Sequence, residues 1–581
     1  MASIDDQDRF FSGQLQATSP NYLLNEGEVA RVANGRFVEG AITNAIGFEK
    51  LDVSFADPEE RIFTSPLYYQ DLLKRGDVQL VAPLENIAGK FLIVVISGFI
   101  FSIDVETGVA TDITPADVYV PDPYSKDAYD SFIPDTSRQS PLSYLDNDGG
   151  VYGVGGYLVI FNYPNNNIFV TPFEVRSANP EDPVFESPPA RMGATAGRRL
   201  FTIFGDNLMY ASDPLGGASS QAPLTFAETL DPNASYTGQI FTIGSALDIQ
   251  KVTATCRLPR YLGPSQEFLA QNLLVSTEKF KYIISAGTPR SDWETTQFIS
   301  YAGSADGIAG PLACTNIGDV LIYVSTTGRI KSLSQDQERD TGLSEGFLDD
   351  SLGQYLCHCE SNFHHRDWYR ALDHSRSIVK FNRDRLYVTV YPMDVPAVDK
   401  YGKSILSPSH RALAVGSIDS TTRLGPTAKI AWEGFYDWIN PIGVVTIGND
   451  LYVVSKGEYG EINYYKERFG SLDDHPTTIH TRAYFKDVAG KGKSICAGSL
   501  YFRVLAGQPK ITISYLLNNE WVVGTQCIAT SNLFNFAFHA ERSKTDAWGI
   551  PLKIEIDHQG CRFELETIRV EGETHRESRR R

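Results

Sequence analysis

One recurring unit constrains this chain more than any other feature. It is an apolar or alternating run of four to eight residues, rich in Val, Ile, Tyr and Phe, then a turn of Gly, Asn or Asp, then a second such run. Runs of this length broken by turn residues mark β-hairpins, because successive strand side chains face opposite sides of a sheet and the turn residues tolerate a left-handed backbone. The first clear case is Lys90 to Asp104 (KFLIVVISGFIFSID), with Ser97-Gly98 as its turn. The unit returns at Gly156 to Thr171, Arg199 to Ser212, Asn272 to Ser285 and Asp319 to Leu333. Two later versions span Asp384 to Ile418, with a long polar insert between RLYVTVY and RALAVGSI, and Asp450 to Lys466. Long amphipathic helical patterns are nearly absent, so the predicted class is all-β.

A lone hairpin cannot bury its own apolar face, so hairpins recurring at intervals of about 40 to 70 residues must stack into a shared core. Radial repetition does this while leaving only short, protected sheet edges, and it surrounds a central channel. The expectation is an irregular β-propeller core over 56–470, irregular because no WD or kelch signature marks the blades. A sandwich, or a string of several β domains, is the alternative. From Thr477 the chain reads as a second β unit, with strands at Thr478 to Phe485, Gly498 to Val504, Lys510 to Leu516, Trp521 to Gln526, Leu552 to Ile556 and Cys561 to Val570. Six short strands with turn signals predict a smaller C-terminal β-sandwich-like domain at 471–572, followed by a polar tail at 573–581. Three polar stretches, Pro115 to Asn147, Ala178 to Ala194 and Gln335 to Arg376, read as long loops inserted between strands. Loops of such length suit subunit contacts or a channel constriction, or are plain surface loops.

Of 581 residues, 42% are hydrophobic, which is ample for a folded core. Lys and Arg number 52 against 71 Asp and Glu, a net charge of −19. That excess disfavours sequence-reading DNA binding, which depends on basic patches, and it is compatible with a wall that DNA passes without adhering. The seven cysteines are odd in number and irregularly spaced, unlike a secreted disulfide framework, so folding in a reducing cytoplasm is expected. No basic region followed by an apolar stretch opens the chain, and no run of about eighteen apolar residues occurs, so neither a signal peptide nor a membrane span is expected.

Few constellations could carry chemistry. Cys357-His358-Cys359 with His364-His365 and His374 is the densest set of metal-ligand types. Cys-x-Cys is tighter than the usual zinc spacing and has no second cysteine pair, so a metal site on Cys357, Cys359, His364 and His365 is left open beside a packed strand next to a polar loop. Asp146-Asn147-Asp148-Gly149-Gly150 lacks the register and late glutamate of a calcium loop and reads as a turn. Asp349-Asp350 and Asp473-Asp474 are candidate paired carboxylates for glycoside hydrolysis, although sequence-adjacent acids usually point apart. Gly153-Val154-Gly155-Gly156 precedes a strand and reads as a turn, not as a dinucleotide fingerprint. There is no Gly-x-Ser-x-Gly elbow, Walker A loop or His-Glu-x-x-His. No residue is assigned a catalytic, cofactor-binding or metal-binding role, and no cofactor is expected. The 29 Tyr and 32 Phe suit carbohydrate-binding or subunit-interface surfaces, and equally suit strands.

The stretch Phe11 to Leu51 (FSGQLQATSPNYLLNEGEVARVANGRFVEGAITNAIGFEKL) resembles the opening of the tail tube, hub and nozzle proteins of short-tailed bacteriophages. The likeness lies in a proline-containing lead, an apolar segment, Asn34 in Asn-x-x-Phe, Gly40 and a closing Gly47-Phe48. The family often closes on Arg-Pro-Gly-Phe, where this chain has Asn44-Ala45-Ile46-Gly47-Phe48. Arg198 to Pro214 (RRLFTIFGDNLMYASDP) and Cys561 to Val570 (CRFELETIRV) are similar to a propeller segment and a last strand pair of the same proteins. Together these touch about a quarter of the chain. The resemblance implies a tail nozzle, a structural protein of the virion and not an enzyme, assembled in the bacterial host cytoplasm. Residues 1–55 would then be a docking or platform segment. A homohexamer would form a gated channel that retains the genome and passes double-stranded DNA at ejection without binding it specifically. Its partners would be the phage adaptor protein and tail fibres or spikes. Two rivals stand beside it: a propeller polysaccharide hydrolase, for which Ser291-Asp292-Trp293 is the nearest fragment of an Asp box, and a monomeric propeller binding scaffold.

Overall fold

The computed structural model describes residues 2–9, 11, 24–56, 66–76, 78–86, 89–97, 99–113, 119–121, 132–134, 151–154, 157–160, 169–172, 192–196, 199–204, 206–212, 241–243, 251–257, 272–286, 293, 299–301, 306–318, 320–334, 337–340, 374–390, 397–398, 404–405, 412–418, 430–457, 460–485, 492–517, 520–529, 532–542, 549–558 and 561–575. Within them the protein is nearly all β, with one α-helix, Pro66–Arg75. No helix among them is long and apolar enough to cross a membrane.

Antiparallel meanders follow one another along the chain. The first comprises Val78–Asn86, Gly89–Ile96, Phe99–Asp104 and Val109–Asp112, with Ser54–Phe55 added at its outer edge. Three strands over 151–172 form the second, and four-stranded sheets over 192–242, 252–301 and 314–340 follow. The sixth holds Val379–Asn382, Arg385–Val390, Ala412–Ile418 and Ile430–Tyr436, and the seventh Pro441–Ile447, Asp450–Lys456 and Ile462–Leu472. The seventh takes its fourth strand, Ile46–Leu51, from near the start of the chain. The predicted hairpins are the middle strands of these sheets. Phe99 pairs with Ile96 across Ser97-Gly98, for instance, with Ser97 left-handed at φ 50°.

What makes this a propeller is the way the sheets pack. The first strand of one meander packs on the first strand of the next: 151–154 on 192–196, 192–196 on 252–257, 314–317 on 379–382, and 379–382 on 441–447. The fourth and fifth sheets join through the Ile308 amide, which donates to Ser276 Oγ at 2.7 Å. Strand 441–447 of the last sheet packs against 78–86 of the first, so the series returns to its start. Such strands lie nearest the axis of a radial array. At that joint a Cβ on Gly443 would stand 2.2 Å from Val81 Cγ2, so only glycine allows the approach.

Continuous apolar runs follow from this packing, because a blade is covered on both faces. In Gly89–Ile96, Leu92, Val94 and Ile96 join a core with Val445, Ile447, Tyr452 and Val454 of the last blade. Ile93 and Val95 enter a second core on the opposite face with Leu80, Ala82 and Leu84. Each fully buried side chain of this kind contributes roughly 1.5–3 kcal/mol.

The smaller β unit is a two-layer sandwich. One layer is a six-stranded sheet of Gly35–Val38, Ala41–Asn44, Arg562–His575, Gly492–Ala506 and Leu533–Arg542, with Ala2–Arg9 also paired to Arg562–His575. The other layer continues the sixth blade: beyond Ile430–Tyr436 come Val29–Ala33, Thr477–Tyr484, Ile550–Asp557, Lys510–Leu517 and Glu520–Ile528, nine strands in all. Ile550, Leu552, Ile554 and Ile556 meet Phe563, Leu565, Ile568 and Val570 in the shared core. Here the strands alternate, because only one face is covered. Both chain ends are woven into this sandwich, and residues 29–51 run through it into the last blade.

Candidate functional site

Most of the sequence candidates for chemistry lie outside the described residues: Cys357, His358, Cys359, His364, His365, Asp146 to Gly150, Asp349, Asp350, Ser291 and Asp292. His374 opens a single 3-10 turn, His374–Arg376. Among the described residues no group of three or more His, Cys, Asp or Glu converges where a metal ion could sit. Gly153 and Val154 end a strand whose register pairs Val154 with Tyr157, as a tight turn requires. Trp293 is buried, with Arg199 over its ring at 5.4 Å. Asp473 is buried and accepts from Trp438 Nε1 at 2.9 Å, while Asp474 is exposed, so the two carboxyls share no site.

The chemically dense region is instead the seam where the sixth blade, the last blade and the sandwich meet. Arg385 NH2 lies 3.2 Å from Glu433 Oε2, and Arg385 NH1 lies 3.9 Å from Glu467 Oε1. Tyr387 donates its hydroxyl to Glu467 Oε1 at 2.5 Å, leaving Glu467 Oε2 buried and without a hydrogen-bond partner among the described residues. Arg36, Arg385, Glu433 and Tyr436 line a cavity of about 10 Å³, at the lower limit of what holds one water. Burial raises the pKa of both glutamates against the pull of Arg385. Burial and Arg385 together lower that of Arg36. Burial would lower Arg385 too, but Glu433 and its neighbours outweigh it and hold the guanidinium charged. Two carboxyls beside a guanidinium could in principle act as acid and base, but the space beside them is far too small for a sugar ring.

Strand 462–472 bulges at this seam. Glu467 pairs with Phe48 and Leu472 with Ile46, so residues 468–471 stand opposite Gly47 alone and one side of the ladder carries three extra residues. The bulge carries Phe469, 41% exposed and covered on one face by Arg383, whose guanidinium is 4.4 Å from the ring centre. A bulge re-aims the side chains beside it, and here it sits next to the buried Glu467.

Three residues of the N-terminal resemblance, Asn34, Gly47 and Phe48, lie at the same seam, and Phe37 and Gly40 sit on the sandwich hairpin between them. Asn34, left-handed at φ 54°, donates from Nδ2 to Asp437 Oδ1 at 2.7 Å and to Pro476 O at 3.1 Å. Its own carbonyl accepts from Thr477 Oγ1 at 2.8 Å, so one asparagine ties the sixth blade to the sandwich. Gly434 makes room for it, since a Cβ there would stand 2.8 Å from the carbonyls of Gly35 and Val32. Phe37 packs on the large core, the Gly40 carbonyl accepts from the Phe11 amide at 2.9 Å, and Phe48 meets Tyr436 edge-on with ring centres 5.0 Å apart. Asn44 Nδ2 and Thr477 Oγ1 lie 2.8 and 3.0 Å from the two ring nitrogens of His558, whose pKa burial lowers.

A second buried ion cluster fastens the first strand. Arg482 Nε donates to Asp8 Oδ1 and its NH2 to Asp6 Oδ1, both at 2.6 Å, while Tyr484 donates to Asp8 Oδ2 at 2.6 Å. The Gly27 amide adds a bond to Asp8 at 3.0 Å, so this fully buried carboxylate is multiply satisfied. The sequence reading named none of Arg36, Arg385, Glu433, Glu467 or Arg482. Glu433 alone left a signal, a lone charge inside the apolar strand Ile430–Tyr436 (IAWEGFY), where the core rejects a charge that has no partner.

No protein-family model matches the chain, and no curated protein matches it. Among solved structures it is similar to a chain of a mitotic checkpoint complex, at TM-score 0.32 and 9% identity over 66% of this chain and 88% of that one. It is also similar to the S. cerevisiae core factor, at TM-score 0.33 and 9% identity over 76% and 64%. A third is the extracellular domain of a putative hybrid two component system from B. thetaiotaomicron, at 0.25 and 10% over 77% and 54%.

Proposed function

We propose that this chain is a tail nozzle subunit of a short-tailed bacteriophage, a structural component of the virion and not an enzyme. Six copies close into a gated channel that holds the packaged genome and then lets double-stranded DNA pass. An adaptor protein binds at one end of the channel, and tail fibres or spikes bind outside. The observation that carries this reading is the position of the residues behind the family resemblance. Asn34, Gly47 and Phe48 lie in the seam joining sandwich to propeller, and Phe37 and Gly40 sit on the sandwich hairpin that leads into it, where a docking segment must transmit load to the wall. A propeller supports the same role, since its closed series of blades gives each copy a wall element with only short, protected sheet edges. So does the net charge of −19, because like-charge repulsion keeps DNA from adhering. The buried ion clusters fit a mechanical part: they join elements and leave no room for a substrate.

The reading is tested by the mass of the purified chain in solution, alone and with the phage adaptor supplied. A sixfold assembly, at the latest on meeting the adaptor, is expected. A chain that stays monomeric with the adaptor present and turns over a polysaccharide contradicts it.

A further inference from the structure

Two sheet edges of the sandwich lie next to each other in the chain. Glu520–Ile528 is the last strand of the nine-stranded sheet and Leu533–Arg542 the last of the six-stranded one, and only four residues separate them in sequence. No described strand pairs with the outer edge of 520–528. Among the described residues, five of the nine exposed large hydrophobics lie on these two edges or the strand next to them: Val523 at 62% and Ile528 at 57% exposure on 520–528, Leu533 on 533–542, and Tyr501 and Leu505 on Gly492–Ala506. Tyr501 pairs directly with Leu533, so these two form one patch across the ladder. Residues 521–540 contain no Asp, Glu, Lys or Arg, in a chain that is 21% charged. Proteins ordinarily guard an open edge with lysine, proline or inward charges, and an unguarded apolar edge pairs with another chain.

We infer that the edge 520–528, with the apolar patch around it, is the surface through which one copy of this chain meets the next. Charge selects the occupant. Each copy carries −19, so two copies repel over most of their surface and approach at least cost where carboxylates are missing. In a closed ring the contact is head-to-tail, so this edge is one half of it and a different face of the neighbouring copy is the other. The inference rests on the ring reading above and adds the place where the copies join.

The test is self-association of the full chain, followed by sedimentation over a range of concentrations. Val523→Lys with Ile528→Lys places two charges on the edge and is expected to weaken assembly at least about tenfold, which corresponds to only ~1.4 kcal/mol. Leu67→Lys, on the propeller helix at 81% exposure, is expected to assemble like wild type. Should the double variant misfold, alkylation of Cys527 in the wild-type chain, mapped by peptide mass, gives the same answer: it slows on assembly when the edge is covered. Rings that persist in the folded double variant, or a Cys527 equally reactive before and after assembly, overturn the interface and leave the ring reading standing. A wild-type chain that forms only pairs, broken by the two lysines, keeps the interface and overturns the ring. A chain monomeric at every concentration, alone and with the adaptor supplied, overturns the proposed interface.

Discussion

Buried charge in this protein is concentrated at joints, and the two main clusters respond differently to change. Asp8 is fully buried and Arg482 is the guanidinium that faces it, so deleting Arg482 leaves that carboxylate without its counter-charge and half-buried Asp6 without its ion pair. Arg482→Ala is expected to lower unfolding free energy by about 3–5 kcal/mol in urea denaturation. Arg482→Lys recovers only part, since a point charge cannot replace a guanidinium fork. A loss below about 1 kcal/mol would mean the cluster fastens nothing. Glu433 and Glu467 behave in the opposite sense. Burial raises their pKa above the ordinary 4.5, so the folded chain binds protons more tightly there than the unfolded chain does. Their ionised forms therefore cost stability at neutral pH. That cost is relieved as pH falls through the raised folded values and is gone below the ordinary one. Glu467→Gln, which keeps an acceptor for Tyr387, is expected to raise Tm at neutral pH and to lose that advantage near pH 4.5. An advantage that grows on acidification would contradict this account.

Strands and sheets were legible in the sequence wherever one strand carries its own signal. Lys90 to Asp104 reads as a hairpin because both strands lie inside the blade and are apolar throughout. Val109–Asp112 and Ser54–Phe55, at the outer edge of the same blade, are too short and polar to stand out. Leu533–Arg542 was missed for another reason: its Phe, Asn and His alternation has no flanking turn signal of Gly or Pro. Partner choice is the least legible property, since nothing local in Ile46–Leu51 says that it completes a blade more than 400 residues away, a pairing set by Tyr464 opposite Leu51. The buried glutamates were hidden the same way, because their partners come from other strands. Two elements make sharp tests. Deleting residues 2–9 uncovers one edge of Arg562–His575, so amides 567–574 are expected to lose hydrogen-exchange protection while blade strand 320–324 keeps it. Gly443→Val drives a side chain into Val81 at the joint between the last and first blades and is expected to cost about 1–3 kcal/mol, read as a fall in Tm. No fall would mean that this joint is looser than the packing describes.

The whole molecule is a propeller closed at two levels. Its last blade packs on its first, and Ile46–Leu51 completes that last blade, so peeling this strand away opens the blade at the closure. The sixth blade runs without interruption into the sandwich as one nine-stranded sheet, which couples the propeller to the sandwich. Under the proposed nozzle reading this build would serve retention and passage, and the acidic surplus would keep passing DNA from adhering. Single-particle imaging of the chain assembled with its adaptor tests this most directly. Averages are expected to show six propellers around an open axis, with their sandwiches joined in a continuous collar. Isolated propellers without rotational symmetry, each binding or cleaving a glycan, would contradict the account.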